Sequence, residues 1–219
     1  MFIGHFAVGF GAKRVAPSVS LGTLFLACQL LDLVWPLLVL LGIEVVEVAP
    51  GITAVTPLDF TFYPYSHSLV ASVFWSALLA AVYWLLSRPP LRAAATLAAV
   101  VLSHWLLDVV SHRPDMPITL SGESKVGLGL WHSVPATLVV EGALFSSGVY
   151  LYVRSTQARN RTGSYAFWAL LAFLLIVYAI NFFSSPPPSG EAVAGAALAM
   201  WLLVAWGYWV DHNRQPVTD

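Results

Sequence analysis

The sequence predicts an all-α polytopic membrane protein that forms a single membrane domain over residues 1–219. Three observations predict this fold class: the chain is very apolar, its apolar residues fall into six long segments, and its basic residues collect on one side of those segments. Hydrophobic residues make up 58% of the chain and charged residues only 10%, against about 25% charged in soluble domains. The expected partner is therefore the lipid bilayer, and the net charge of −1 argues against a nucleic-acid partner.

Six segments are long and apolar enough to cross a bilayer, which takes about 20 helical residues each. They are predicted at residues 18–42, 66–87, 91–112, 133–154, 164–183 and 191–211. The connections carry helix breakers, such as Pro89-Pro90 and the run from Pro186 to Pro188, which supports these boundaries. Within the first segment, Pro36 cannot donate to the carbonyl of Asp32, so a kink is predicted at that point.

The basic residues indicate the topology. Only Arg113 and Lys125 fall on one side of the six-span arrangement, and the others fall on the opposite side: Lys13, Arg14, Arg88, Arg92, Arg154, Arg159, Arg161 and Arg214. The positive-inside rule then predicts that both termini face the cytoplasm.

Two segments outside the spans have their own predicted structures. Residues 2–11 are apolar but too short to span, so they are predicted to form a short helix that re-enters from the cytoplasmic face, with an interfacial helix as the alternative. Gly4, Gly9 and Gly11 would let a re-entrant helix pack closely against others. The outer loop at residues 43–65 contains a predicted hairpin that turns at Pro50-Gly51.

The third span carries the sharpest chemical signal, the segment SHWLLDVVSH. His104, Asp108 and His112 are spaced four apart, which puts them on one face of a helix. Imidazole nitrogen and carboxylate oxygen at that spacing suit Zn²⁺ or a similar divalent ion. A hydrogen-bonded His–Asp pair that holds helices together is the structural alternative. His132, at the start of the fourth span, fits either a ligand or an interfacial histidine.

Other ionisable residues in the spans are candidates because burying them in lipid is costly. Asp32 and His104 both lie roughly 20 Å from the cytoplasmic ends of their spans, at 1.5 Å per residue, so we expect them to meet. His67 is a candidate ligand near the outer end of the second span. His5 joins the cluster only if the first helix re-enters. Glu141 is a candidate ligand, proton shuttle or structural partner for a histidine.

The motifs IGHFAVG, QLLDLVWP, YSHSLV and LSHWLLDVV follow one another in the first half of the chain. In this order they resemble the YdjM-like bacterial inner-membrane proteins, which are described as membrane-bound metal-dependent hydrolases. The matching positions are His5, Asp32, His67, His104 and Asp108. Val34 and Phe62 stand where the family pattern has a further Asp and a further His. The resemblance covers residues 1–112 and implies a bacterial inner-membrane location. A more distant similarity to zinc-dependent phospholipase C and the P1-type nucleases would imply phosphoester substrates.

These observations predict a membrane-embedded metal-dependent hydrolase that acts on a small-molecule or lipid-like substrate with a water activated by a divalent ion, zinc above others. The predicted metal ligands are His5, Asp32, His67, His104, Asp108 and His112. The predicted catalytic residues are Asp108 and Glu141. Two alternatives are a proton- or cation-coupled transporter and a non-enzymatic scaffold with structural His–Asp pairs. The patterns do not set an oligomeric state.

Overall fold

The structure, a computed structural model, describes residues 1–217 and is an all-α bundle with three short two-stranded antiparallel sheets. The predicted fold class is confirmed. The helices are α1 (Ile3–Val15), α2 (Leu21–Cys28), α3 (Leu30–Leu40), α4 (Pro64–His67), α5 (Leu69–Ser87), α6 (Leu91–Ser111), α7 (Val134–Ser155), α8 (Arg161–Asn181), α9 (Gly190–Ala197) and α10 (Met200–His212). The strands are β1 (Val45–Val48), β2 (Leu58–Phe62), β3 (Met116–Pro117), β4 (Lys125–Val126), β5 (Thr156–Ala158) and β6 (Arg214–Pro216).

Five segments of the described chain are long and apolar enough to cross a membrane: α5, α6, α7, α8 and the pair α9–α10. The bent pair α2–α3 makes a sixth when it is counted as one span. Serine residues cap the N-termini of several of these helices. Ser68 accepts a hydrogen bond from the N–H of Ala71 at the start of α5, and Ser133 accepts one from Ala136 at the start of α7, which satisfies helix N–H groups that have no intrahelical partner.

The break in the first span lies at Gln29 and not at Pro36, where the kink was predicted. The axes of α2 and α3 differ by 55° across this residue, while Pro36 lies inside the continuous helix α3. The carbonyl of Cys28, directly before the break, accepts a hydrogen bond from a side chain of α6. An unpaired carbonyl is costly in the interior of a membrane bundle. The hydrogen bond to the Cys28 carbonyl therefore stabilises the break in the helix.

Helix α1 is an internal element of the bundle, which agrees with the predicted re-entrant helix and not with the interfacial alternative. It packs against α7, α2 and α6, and most of its residues are buried. Two glycines permit the close approach: a Cβ at Gly148 of α7 would collide with the carbonyl oxygen of Ala7, and one at Gly9 would lie 2.9 Å from the Cys28 sulfur. Met1 is buried inside the bundle, whereas Arg14 at the other end of α1 is exposed.

The bundle has two different ends. One, called here the hairpin end, carries the sheet β1–β2. The loop between these strands includes Pro50 and Gly51, but β1 pairs with β2 at Leu58–Phe62, so the connection is longer than the predicted tight turn at those two residues. The other, called here the basic end, carries Lys13, Arg14 and the sheet β5–β6. The side of a membrane that each end faces stays a prediction.

Candidate metal centre

Two residues of the candidate centre, the predicted pair His104 and Asp108, lie on α6. His104 and Asp108 are both buried, and His104 Nε2 lies 3.1 Å from Asp108 Oδ2. Their spacing of four residues places them one turn apart on the same face. Here this face is turned into the protein, against α1 and α2, and not toward lipid.

Two further helices complete the donor set. Asp32 comes from the first turn of α3, just after the break, and His67 is the last residue of the short helix α4. His67 Nε2 lies 3.3 Å from Asp32 Oδ1 and 3.9 Å from Asp108 Oδ2, and His104 Nε2 lies 3.6 Å from Asp32 Oδ2. Donor atoms about 2.0–2.1 Å from a tetrahedral zinc ion are ~3.3 Å apart, so three of these distances, 3.1, 3.3 and 3.6 Å, are close to the spacing of zinc ligands.

The hydrogen bonds of His104 show which of its nitrogens faces the other donors. Its Nδ1 lies 2.8 Å from the carbonyl oxygen of Cys28, and because a carbonyl only accepts, Nδ1 carries the proton. Among residues 1–217, His104 Nε2 is buried without any hydrogen-bond partner. A ring nitrogen fixed as a lone-pair donor by a bond at the opposite nitrogen is the usual arrangement of a metal-binding histidine.

His67 is oriented in the same manner through two residues that the sequence analysis missed. The Ser66 hydroxyl donates to Glu44 Oε2 at 2.6 Å and accepts from His67 Nδ1 at 2.7 Å. Glu44 Oε1 also accepts from the N–H groups of Tyr65 and Ser66 at 2.8 Å each. His67 Nε2 is therefore the second ring nitrogen that faces a carboxylate. Either a proton on this nitrogen or a metal ion between the two groups makes such a contact favourable.

Glu44 lies outside the spans and is nevertheless buried. Burial raises the pKa of its carboxyl group, while the hydrogen bond from the Ser66 hydroxyl acts in the opposite direction. The only sequence signal for Glu44 was a carboxylate directly after the first span. That signal is weak, because Glu47 three residues later is exposed.

His5 reaches the cluster from α1. Its ring stacks on that of His104 at a centroid distance of 3.6 Å, and its Nε2 lies 3.0 Å from Asp108 Oδ1. The nitrogen of Met1 donates to the same Asp108 oxygen at 2.5 Å. Asp108 therefore presents Oδ1 to α1 and Oδ2 to His67 and His104. Two groups of donor atoms result, one of His5, His104 and Asp108 and one of Asp32, His67 and His104.

Glu141 of α7 lies at the buried start of α1. Its Oε2 accepts from the N–H groups of Phe2 at 3.0 Å and Gly4 at 3.2 Å. A carboxylate there compensates the unpaired N–H groups and the positive end of the helix dipole. Glu141 also lines the cavity described below. Its carboxylate therefore both binds the start of α1 and is accessible from the cavity beside the centre.

The structure does not bring His112 and His132 into the donor set. His112 caps the C-terminus of α6, and its Nδ1 lies 3.0 Å from Asp115 Oδ1. Its ring packs against Trp131 at a centroid distance of 4.3 Å. His132 is exposed at the end of a 3₁₀ helix. Within the described chain, neither belongs to a group of converging donor atoms.

A cavity of about 630 Å³ opens from the centre toward the hairpin end. Asp32, His67, Asp108 and Glu141 lie on its lining. The Asp32 side chain is 29% exposed, whereas that of Asp108 is 3% exposed, so Asp32 is the more accessible carboxylate of the centre.

No family model, no curated protein and no solved structure matches the chain. The resemblance to the YdjM-like proteins therefore stays a prediction that rests on four short motifs. The case for a metal centre rests on the convergence of side chains from α1, α3, α4 and α6, which those motifs do not by themselves impose.

Proposed function

We propose that this protein is a membrane-embedded metal-dependent hydrolase whose divalent ion, zinc by its donor set, is held by Asp32, His67, His104 and Asp108. One observation carries the proposal: the Nε2 atoms of His67 and His104 lie 3.1–3.9 Å from carboxylate oxygens of Asp32 and Asp108, and the buried His104 Nε2 has no hydrogen-bond partner among the described residues. Imidazole nitrogen and carboxylate oxygen are both zinc ligands, and a catalytic zinc site has three protein ligands and one position for water, which the group of Asp32, His67 and His104 would provide.

The ion would supply Lewis-acid activation of a water near neutral pH. The chain's own residues have separate tasks. Asp32 and Asp108 would balance the charge of a divalent ion. Cys28 and Ser66 hold the two histidines in the orientation that presents Nε2. Asp108, a predicted catalytic residue, would help to hold the ion, and His5 contacts its Oδ1.

Glu141 is the proposed proton acceptor, because it lines the same cavity and is not part of the donor set. In Glu141→Gln an amide oxygen still accepts from Phe2 and Gly4, so α1 keeps its partner. We expect bound zinc to be unchanged and the turnover of a chromogenic p-nitrophenyl phosphodiester to fall by at least about 100-fold. An unchanged rate would remove Glu141 from the chemistry.

The substrate class follows from the surroundings of the centre and from the resemblance. The His/Asp cluster lies inside a bundle of apolar helices and beside a mostly apolar cavity, and both features support a lipid-like substrate. The resemblance supports a phosphoester bond and a bacterial inner-membrane location.

The direct test is the zinc content of the purified full chain by mass spectrometry, in the wild type, in His104→Ala and in His132→Ala. We expect about one zinc per chain in the wild type and in His132→Ala, which changes an exposed histidine outside the centre. His104→Ala should hold none. If no metal is bound in the wild type after incubation with zinc, the proposal is wrong and the cluster is a structural one.

A further inference from the structure

The basic end of the bundle carries arginines that no acidic residue neutralises. Four of them are exposed and lie at the ends of α1 and α7, on the connection after β5 and at the start of α8: Arg14, Arg154, Arg159 and Arg161. Among residues 1–217, Asp211 is the one carboxylate at this end, and it pairs with the buried Lys13. The four guanidinium groups therefore have no ion pair within the described chain and are available to an anion outside it.

The packing of α1 on α7 brings two of these arginines to the same level. The two helices run parallel, because their contacts advance together along both. These contacts join Gly4 to Glu141, Ala7 to Gly148 and Gly11 to Leu151. The same register continues to Arg14 and Arg154, near the ends of the two helices. Like charges at one level repel each other, so an anion bound between them would be stabilising.

Exposed tyrosines indicate the level at which this end meets the bilayer. Tyr150 lies four residues before Arg154 on α7, and Tyr165 lies four residues after Arg161 on α8. The two tyrosines are 63% and 71% exposed. Four residues are about one helical turn, or roughly 6 Å, so each tyrosine lies on the face of its arginine and nearer the middle of the span. Because tyrosine concentrates at the boundary between hydrocarbon and headgroups, the arginines lie at the level of the lipid phosphates.

We propose that the basic end binds the headgroups of anionic phospholipids through Arg14, Arg154, Arg159 and Arg161. A guanidinium group binds two phosphate oxygens at once, which an ammonium group does not. A lipid with a net negative charge is favoured over phosphatidylcholine, whose choline cation would face the same arginines. An arginine near an anionic surface contributes a factor of about 5 to binding. The four arginines lie outside the lining of the cavity at the metal centre, so this binding is independent of the proposed hydrolase function.

The test measures binding of pyrene-labelled phosphatidylglycerol to the full chain in neutral detergent micelles, by energy transfer from the tryptophans of the protein. Pyrene-labelled phosphatidylcholine is the reference without net charge. We expect the wild type to bind phosphatidylglycerol at least ~10-fold more tightly than phosphatidylcholine. The double variant Arg154→Gln with Arg161→Gln should bind the two lipids about equally, because two charges are removed. The double variant Arg154→Lys with Arg161→Lys keeps the charges and should keep most of the preference.

The matched control is Arg88→Gln with Arg92→Gln, which removes two exposed charges from the turn between α5 and α6 and should leave the preference largely intact. An equal loss in both glutamine variants would overturn the proposed site, because net charge alone would then explain the preference. A wild type without any preference would also overturn it. The same holds if inorganic phosphate displaces the lipid at equal concentration, since the site would then bind the free anion. The single variant Arg154→Gln, with an expected loss of about 5-fold, replaces the double variant if that one does not fold.

Discussion

The two ends of the bundle both bury charged side chains, but they satisfy them differently. At the basic end, Lys13 lies 2.8 Å from Asp211 and also donates to the carbonyl of Val19. Arg214 stacks over Tyr152 and Phe167 and donates to Thr156. Each of these cations therefore has its own acceptors in the chain.

Toward the hairpin end, the buried groups converge and remain unpaired in part. Donor atoms of Asp32, His67 and His104 converge, as do those of His5, His104 and Asp108, and His104 Nε2 and His5 Nδ1 have no hydrogen-bond partner within residues 1–217. Buried ionisable residues in a membrane domain are functional candidates by default. Burial alone therefore does not separate a candidate site from a structural ion pair, and the feature that differs between the two ends is the convergence of donor atoms from separate helices.

Removal of one carboxylate at each end, the buried Asp108 and the half-buried Asp211, gives the largest expected contrast. Asp108→Ala should lower zinc affinity by more than ~100-fold, because loss of an outer partner alone already costs 10- to 100-fold. Asp211→Ala should leave zinc content unchanged and lower the free energy of unfolding by roughly 3 kcal/mol, because Lys13 is left buried without its ion pair. Zinc analysis and thermal unfolding of both variants measure this. If the two variants lose zinc equally, zinc binding is not specific to the cluster toward the hairpin end, and the contrast between the two ends is wrong.

A smaller effect is expected from Glu44, which acts on His67 through Ser66. In Glu44→Gln the ionised acceptor of the Ser66 hydroxyl is lost, so His67 Nε2 is held less firmly toward the centre. We expect the Kd for zinc to rise by about 10- to 100-fold, measured by competition with a chromophoric chelator. Glu47→Gln is the matched control, since Glu47 is exposed on β1. If Glu44→Gln and the control have the same Kd for zinc, Glu44 does not act on the metal centre and only holds the segment of Tyr65 and Ser66 in place.

The smallest effect is expected when both charges of the pair at the basic end are replaced together. Replacement of a buried ion pair by apolar residues of similar volume is often neutral. The double variant Lys13→Met with Asp211→Leu should keep the free energy of unfolding within about 1 kcal/mol of the wild type and should keep its zinc. A loss as large as that of Asp211→Ala alone would mean that the charges at this end have a role beyond mutual neutralisation.

Much of the fold was predictable because the bilayer constrains it so strongly. Spans need about 20 apolar residues, and the predicted segments coincide with the observed helices to within a few residues. The break at Gln29 was not predictable from Pro36, which lies inside the continuous helix α3. The break instead coincides with a long-range hydrogen bond from His104 Nδ1 to the carbonyl of Cys28. The pairing of β5 with β6 was also missed, since both strands have only three residues.

Local spacing was enough to predict that His104 and Asp108 share a face, because a helix imposes that relation on residues four apart. It was also enough to predict apolar spans, because lipid excludes unpaired backbone groups. Only the tertiary structure decided that Asp32, His67 and His5 meet this pair, that Glu44 holds His67, and that His112 pairs with Asp115 instead. Those relations depend on how separate helices rotate and tilt against each other, and such packing angles are set by side-chain and glycine contacts between distant parts of the chain.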